Sequence, residues 1–266
     1  MKALVTGASS GIGWHFADLL AREGYDLVIT ARDTDRLNHL ANEFTQKYGK
    51  HVEVISADLT TEHGINLIES RLKNSDIDVL INNAGYGLNK PFTASEVADE
   101  IQVLRILCEA PMRLAHAVLP AMIARNSGII INVSSVAAWI TGGHYSAMKS
   151  YLMVLSESLH TELAETAVKV CSLAPGFTHT EFHQRGKMKM DSLPNFMWLD
   201  ADNVVITAWN DAKAGKAILF LVANIARSIY LLDSHRVTLC AKLASLSDAN
   251  SDNSQGFHRF QSLYIS

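Results

Sequence analysis

The feature that most constrains this chain is a repeated exchange between short, almost wholly apolar runs and longer stretches with helical period. Runs at 3–5, 26–30, 52–56, 79–81, 128–133, 168–173 and 217–221 read as strands. Ile129-Ile130-Ile131 is apolar at consecutive positions, so both faces of that strand must be covered. Helices are predicted over 13–23, through the stripe Leu37, Leu40, Ala41 and Phe44, and through Ile65, Ile68 and Leu72. Longer ones are predicted over 95–125 and 145–165. Strand and helix in alternation give an α/β fold, a doubly wound parallel sheet of about seven strands with helices on both faces. Such sheets bind ligands beyond the C-terminal ends of their strands. Motifs at that edge therefore carry functional weight.

A chain of 266 residues fits one such unit, and a core of that size needs no disulfide or metal. Apolar residues make up 48% and charged residues 19%, as in ordinary globular proteins. The net charge of −4 supplies no basic field, which argues against a nucleic-acid partner. Cys108, Cys171 and Cys240 lie far apart among apolar neighbours and read as reduced, buried thiols, which suits a cytoplasmic location. The apolar run at the start is too short for a signal peptide. No stretch reaches about 18 uninterrupted apolar residues, so no membrane span is expected. The longest candidate, 217–232, contains Asn224, Arg227 and Ser228 and reads as a strand followed by a helix. Residues 1–246 read as one domain, and 247–266 as a polar linker with a C-terminal tail.

Between the first strand and the first helix stands Thr6-Gly7-Ala8-Ser9-Ser10-Gly11-Ile12-Gly13. A helix N-terminus presents unpaired N–H groups to an anion. Gly7 and Gly11 let the backbone approach a pyrophosphate, Gly13 lets helix and strand pack together, and Ser9 and Ser10 add hydroxyl donors. The second strand runs out through Ala31, where a carboxylate would hold a ribose 2′-hydroxyl, and Arg32 follows. A guanidinium suits a 2′-phosphate, so NADP(H) is favoured over NAD(H). The alternative makes Arg32 a solvated charge and Asp33 the ribose partner.

The spacing GxxxGxG after a threonine resembles the short-chain dehydrogenase/reductase family, whose domain is Rossmann-like. Further motifs in the family's order are Asn82-Asn83-Ala84-Gly85, Tyr145-Ser146-Ala147-Met148-Lys149 and Pro175-Gly176. The resemblance covers residues 1 to about 220. It implies an oxidoreductase, homodimeric or homotetrameric, that interconverts a carbonyl and an alcohol. Asp58 and Leu59 look like its adenine-contacting pair, although Asp58 or Thr60 could simply cap a helix. Asn83, Ala84 and Gly85 would line the cofactor, and Pro175, Gly176, Phe177 and Thr180 would border its nicotinamide.

Hydride transfer leaves charge on the carbonyl oxygen, and a proton must be delivered there. A tyrosine donates it if a nearby ammonium lowers its pKa from about 10. Tyr145 and Lys149 are four apart on a predicted helix and share a face. The resemblance gives them these roles, with Lys149 also holding the nicotinamide ribose. By register with the family, Ser135 is the catalytic serine and Ser134 its neighbour.

One position departs from the pattern. The family's asparagine in the long helix, which helps hold a water linked to the lysine, falls at Leu107. That opens a second reading, a cofactor-binding regulator or scaffold with weakened turnover. A third is peripheral membrane contact through 217–232 and 257–264. His179, Glu181 and His183 are not spaced as a helical metal site, because Glu181 would point away from both histidines. The segment 180–199 carries Met188, Met190, Phe196, Met197 and Trp198 beside Arg185, Lys187 and Lys189. As a lid it suits a hydrophobic ketone or acyl substrate; core packing or a subunit contact explains the same residues.

Overall fold

A computed structural model describes residues 1–74, 76–181 and 195–221. Its seven strands are β1 (Lys2–Thr6), β2 (Asp26–Ala31), β3 (Val52–Ser56), β4 (Val79–Asn82), β5 (Gly128–Val133), β6 (Val168–Pro175) and β7 (Ile218–Leu221). They form one sheet in the order β3-β2-β1-β4-β5-β6-β7, with every pair parallel. The order reverses between β1 and β4, which opens a crevice at their C-terminal ends.

Period-two alternation divides each strand between two cores. Ala3, Val5, Val79, Ile81 and Ile131 face one layer with α1 (Gly11–Arg22) and α2 (Thr34–Tyr48). Leu4, Leu80 and Ile130 face the other, with α3 (Glu62–Leu72), α4 (Val97–Leu104), α5 (Ala110–Ala124) and α6 (Gly143–Glu162). A seventh helix, α7 (Ala201–Lys213), packs on the α1 side through Val204, Val205, Ala208 and Trp209. The predicted stripes are buried through Leu37, Leu40 and Phe44 of α2 and Ile65, Ile68 and Leu72 of α3.

The long helix predicted over 95–125 is interrupted. Between α4 and α5, Arg105–Glu109 form a π turn in which Ala110 N–H donates to the Arg105 carbonyl. Pro111 explains it, because proline has no N–H to give to Leu107, four residues back, or to Ile106, five back. Taken together, Val97–Ala124 is long and apolar enough to cross a membrane by length and composition, which the sequence reading assigned to no segment. One face of it does core work, with Val103, Leu107, Leu114, Val118 and Met122 buried, while Val97, Ile101 and Leu104 are exposed. Arg113 meanwhile pairs with Glu62 and Glu69 of α3.

The thiols of Cys108 and Cys171 are buried, and burial raises their pKa values to about 11 and about 12. Cys240, the helix expected after 221, the polar linker and the tail lie outside the described residues.

Candidate active site

The crevice at the β1/β4 reversal is a cleft of about 900 Å³. Gly7, Ser9, Ser10, Gly11 and Ile12 form its floor at the start of α1. Gly7 has φ +66° and Gly11 φ +57°, conformations that glycine adopts without strain. Gly13 does not line the cleft. A Cβ there would stand 2.3 Å from both the Gly7 carbonyl oxygen and the Asn83 amide nitrogen, so the start of α1 packs directly on the glycine turn. Thr6 braces the turn: its Oγ accepts from the backbone N–H groups of Asn83 and Ala84 at 2.9 and 3.0 Å. The Asn83 amide donates back to the carbonyls of Thr6 and Gly7 at 3.0 and 3.2 Å. The sequence reading missed Thr6 as a brace.

This turn fits an anion. Ser10, the N-cap of α1, makes no side-chain capping bond, and the first turn of α1 carries no acidic residue. The N-caps of α2, α3 and α7 do accept backbone N–H groups, through Asp33, Thr61 and Asp200. Arg32 and Asp33 are both exposed and both line the cleft, and Asp33 Oδ1 accepts from Arg36 N–H at 3.0 Å. Asp58 and Leu59 also line the cleft. The capping alternative is corrected: Thr61 caps α3, while Asp58 Oδ1 accepts from the Thr60 N–H and hydroxyl.

The far end of the cleft gathers Ala84, Gly85, Ser135, Tyr145, Lys149, Pro175, Gly176, Phe177 and Thr180. Every candidate site residue except Gly13 therefore meets in one cleft. Lys149 Nζ lies 5.6 Å from the Tyr145 ring centre and donates to the Val133 carbonyl at 2.8 Å. Burial holds the Lys149 pKa down at about 8.

The two serines divide their tasks. Ser134 donates its hydroxyl to the Lys149 carbonyl at 2.8 Å and ties β5 to α6. Ser135 Oγ accepts from Ala137 N–H at 3.1 Å, which leaves its O–H as a donor toward the cleft.

Tyr86, Leu88, Ile106 and Thr178 line the cleft as well and were not named from sequence. The signal was there in Gly85-Tyr86-Gly87, where an aromatic sits between glycines just past a site strand. Leu107 is buried, and a Cβ on Gly85 would meet its Cδ2 at 2.4 Å, so these two positions are matched in size.

Both ends of the predicted lid are tied. Leu199 N–H donates to the Phe177 carbonyl, and His179 N–H donates to the Leu199 carbonyl. His179 stacks on Trp198 with ring centres 4.7 Å apart, and Glu181 takes a bidentate bond from Arg36. Residues 182–194, with His183 and most of the lid, lie outside the described residues.

Buried Lys149 predicts a stability effect. At pH 7 the amine is charged both folded and unfolded, yet burial lowers its folded pKa to about 8. The unfolded chain therefore holds its proton more tightly, and stability rises as pH climbs from about 8 to about 10.4. Lys149→Met removes that penalty. It is expected to stabilise the cofactor-free protein by about 1–3 kcal/mol in thermal unfolding at pH 7 while abolishing turnover.

Comparison with known proteins agrees with this geometry. The family model for short chain dehydrogenases matches residues 1–190. An uncharacterised oxidoreductase of Staphylococcus epidermidis is 32% identical over 202 residues, covering 72% of this chain and 86% of that one. A short-chain dehydrogenase from Sphingobium yanoikuyae, solved in complex with NADPH, superposes with a TM-score of 0.79 at 30% identity, covering 96% of this chain and 97% of that one. A bulky-bulky ketone specific alcohol dehydrogenase from Comamonas testosteroni superposes with a TM-score of 0.76 at 27% identity, covering 95% of each chain. With its glycine turn, parallel sheet and shared cleft accounted for, this chain belongs to the short-chain dehydrogenase family of oxidoreductases.

Proposed function

We propose that the protein is an NADP(H)-dependent reductase that converts a hydrophobic ketone or acyl carbonyl to an alcohol, and the reverse. The observation that carries this reading is the convergence of the uncapped α1 turn, Arg32 and the Tyr145–Lys149 pair on one cleft. The relative in complex with NADPH and the ketone-specific relative support the cofactor and the substrate class. So does a very-long-chain 3-oxoacyl-CoA reductase-like protein of Arabidopsis thaliana, 32% identical over 187 residues.

When bound, the nicotinamide supplies the hydride. The first-turn N–H groups of α1 hold the pyrophosphate, and Arg32 holds the 2′-phosphate. Asp58, Leu59 and Asn83 border the adenosine. Lys149 fixes the nicotinamide ribose and favours the phenolate of Tyr145 by its charge. Ser135 donates to the carbonyl oxygen and holds it beside the Tyr145 hydroxyl, which delivers the proton. Tyr86, Leu88 and Phe177 present apolar surface to the substrate. Exposed Val97, Ile101 and Leu104 on α4 with Tyr151 and Val154 on α6 suit a homodimer or homotetramer.

Arg32→Ser tests the cofactor reading. It is expected to weaken NADPH binding about 10–100-fold, the worth of one or two charge-assisted hydrogen bonds, and to leave NADH binding unchanged. Fluorescence titration with both cofactors reads the difference, and equal losses for the two overturn the assignment. Leu107 favours a second reading, a cofactor-binding protein with weakened turnover. A large rise in turnover for Leu107→Asn supports it.

A further inference from the structure

Two glycines lead into the helix that carries the proton donor. Gly142 is the N-cap of α6 and Gly143 its first residue, two positions before Tyr145. Gly142 has no side chain to cap the helix, the first turn carries no acidic residue, and a Cβ on Gly143 would meet nothing within 4 Å. Glycines are costly to order, so an entry of this kind has to be held from elsewhere. Ser146 Oγ accepts from Gly142 N–H at 3.1 Å. A second hold comes from α4. Glu100, only 9% exposed, accepts at Oε2 from His144 Nδ1 at 2.6 Å and at Oε1 from the Ser95 hydroxyl at 2.5 Å. The Phe92 ring stands edge-on to the imidazole, with centres 5.6 Å apart. Burial alone would raise the Glu100 pKa, but the bonds from Ser95 and His144 outweigh it and hold the carboxyl below its usual range. The carboxylate is therefore ionised at neutral pH and only accepts, which places a proton on Nδ1 of His144.

We propose that the Glu100–His144 pair is a clamp that sets where Tyr145 stands in the cleft, which makes both of them positioning residues for proton delivery. The inference rests on the reductase reading. His144 does not line the cleft, so it reaches the chemistry only through the helix turn it shares with Tyr145. Its anchor belongs to a different part of the chain. Tyr86 and Leu88 line the cleft, and the same segment runs on through Phe92 and Ser95 into α4. The clamp thus joins the wall that faces the substrate to the residue that protonates it, and fixes the gap between them. The Glu100 carboxylate also places beside the first turn of α6 the negative charge that the turn itself lacks.

Turnover of a bulky ketone by the full chain, with NADPH affinity measured alongside, tests the clamp. His144→Ala is expected to lower kcat about 10–100-fold, because a displacement of about 1 Å at the proton donor costs on that order. KM and NADPH affinity should stay within about twofold. His144→Asn returns an N–H near the place of Nδ1 and is expected to recover most of the loss. Glu100→Gln added to His144→Ala is expected to cost less than about twofold more, since the pair is already broken. Nitrogen NMR of the unaltered protein, assigned by the ring signal that His144→Ala removes, is expected to show the neutral ring protonated on Nδ1, an observation independent of how the variants fold. A kcat for His144→Ala within about twofold of the unaltered protein, no recovery in His144→Asn, or NADPH affinity that falls in step with kcat overturns the clamp. So does a tenfold further loss in the double variant, or a neutral ring protonated on Nε2. Unaltered protein that turns over no carbonyl, with the ring protonated on Nδ1, overturns the reductase reading beneath it instead.

Discussion

Replacing Tyr145 with phenylalanine is expected to lower NADPH-dependent carbonyl reduction by about 10²–10⁴-fold, the range for loss of a positioned general acid. The substitution removes one oxygen and leaves the ring that faces Lys149 Nζ at 5.6 Å. NADPH affinity should therefore stay within about twofold, because the pyrophosphate and 2′-phosphate contacts lie at the other end of the cleft. Steady-state kinetics over a panel of bulky ketones, with fluorescence titration of the cofactor, separates the two effects. Equal rates for the variant and the unaltered protein contradict the assignment of the proton donor.

The second large effect is structural. Gly13→Ala places a methyl group 2.3 Å from both the Gly7 carbonyl oxygen and the Asn83 amide nitrogen. Neither atom can retreat, because Asn83 Nδ2 is itself bonded to the Thr6 and Gly7 carbonyls. Overpacking of this kind costs about 1–3 kcal/mol, or a fall of roughly 2–12 °C in melting temperature for a chain of this size. The displaced turn is the pyrophosphate floor, so NADPH affinity should fall with stability. Gly49→Ala is the contrast. Its φ of +66° carries backbone strain, but a Cβ there meets nothing within 4 Å. It should lose stability without losing cofactor. If Gly13→Ala binds NADPH as the unaltered protein does, the glycine turn is not the floor described here.

The sheet was legible because its strands leave so little choice. Consecutive apolar residues such as Ile129-Ile130-Ile131 fit only a strand covered on both faces, and Ile130 and Ile131 do face opposite cores. β3 and β5 match their expected bounds, and the other strands differ by one or two residues at their ends. The cleft was legible for a related reason: a parallel sheet brings the ends of β1, β4, β5 and β6 to one edge, so motifs far apart in sequence had to meet there.

What escaped is what depends on which atom a side chain happens to reach. Helical period alone does not reveal the π turn at Arg105–Glu109, although Pro111 marks where a helical bond must fail. Asp58 and Thr60 both looked able to cap α3, yet the chain turns one residue later and Thr61 caps it. Ser134 and Ser135 are indistinguishable as letters. The structure separates them by pointing one hydroxyl at the Lys149 carbonyl and using the other oxygen as an acceptor. The pairing of Arg36 with Glu181 joins positions far apart in the chain that no local pattern connects.

The most direct measurement of the central claim is a crystal structure of the protein grown with NADPH. Density is expected for the pyrophosphate on the amides of Ser10 to Ile12, the 2′-phosphate against Arg32, and the nicotinamide ribose within hydrogen-bond distance of Lys149 Nζ. A cofactor bound elsewhere, or a nicotinamide ring out of reach of Tyr145 and Ser135, contradicts that claim.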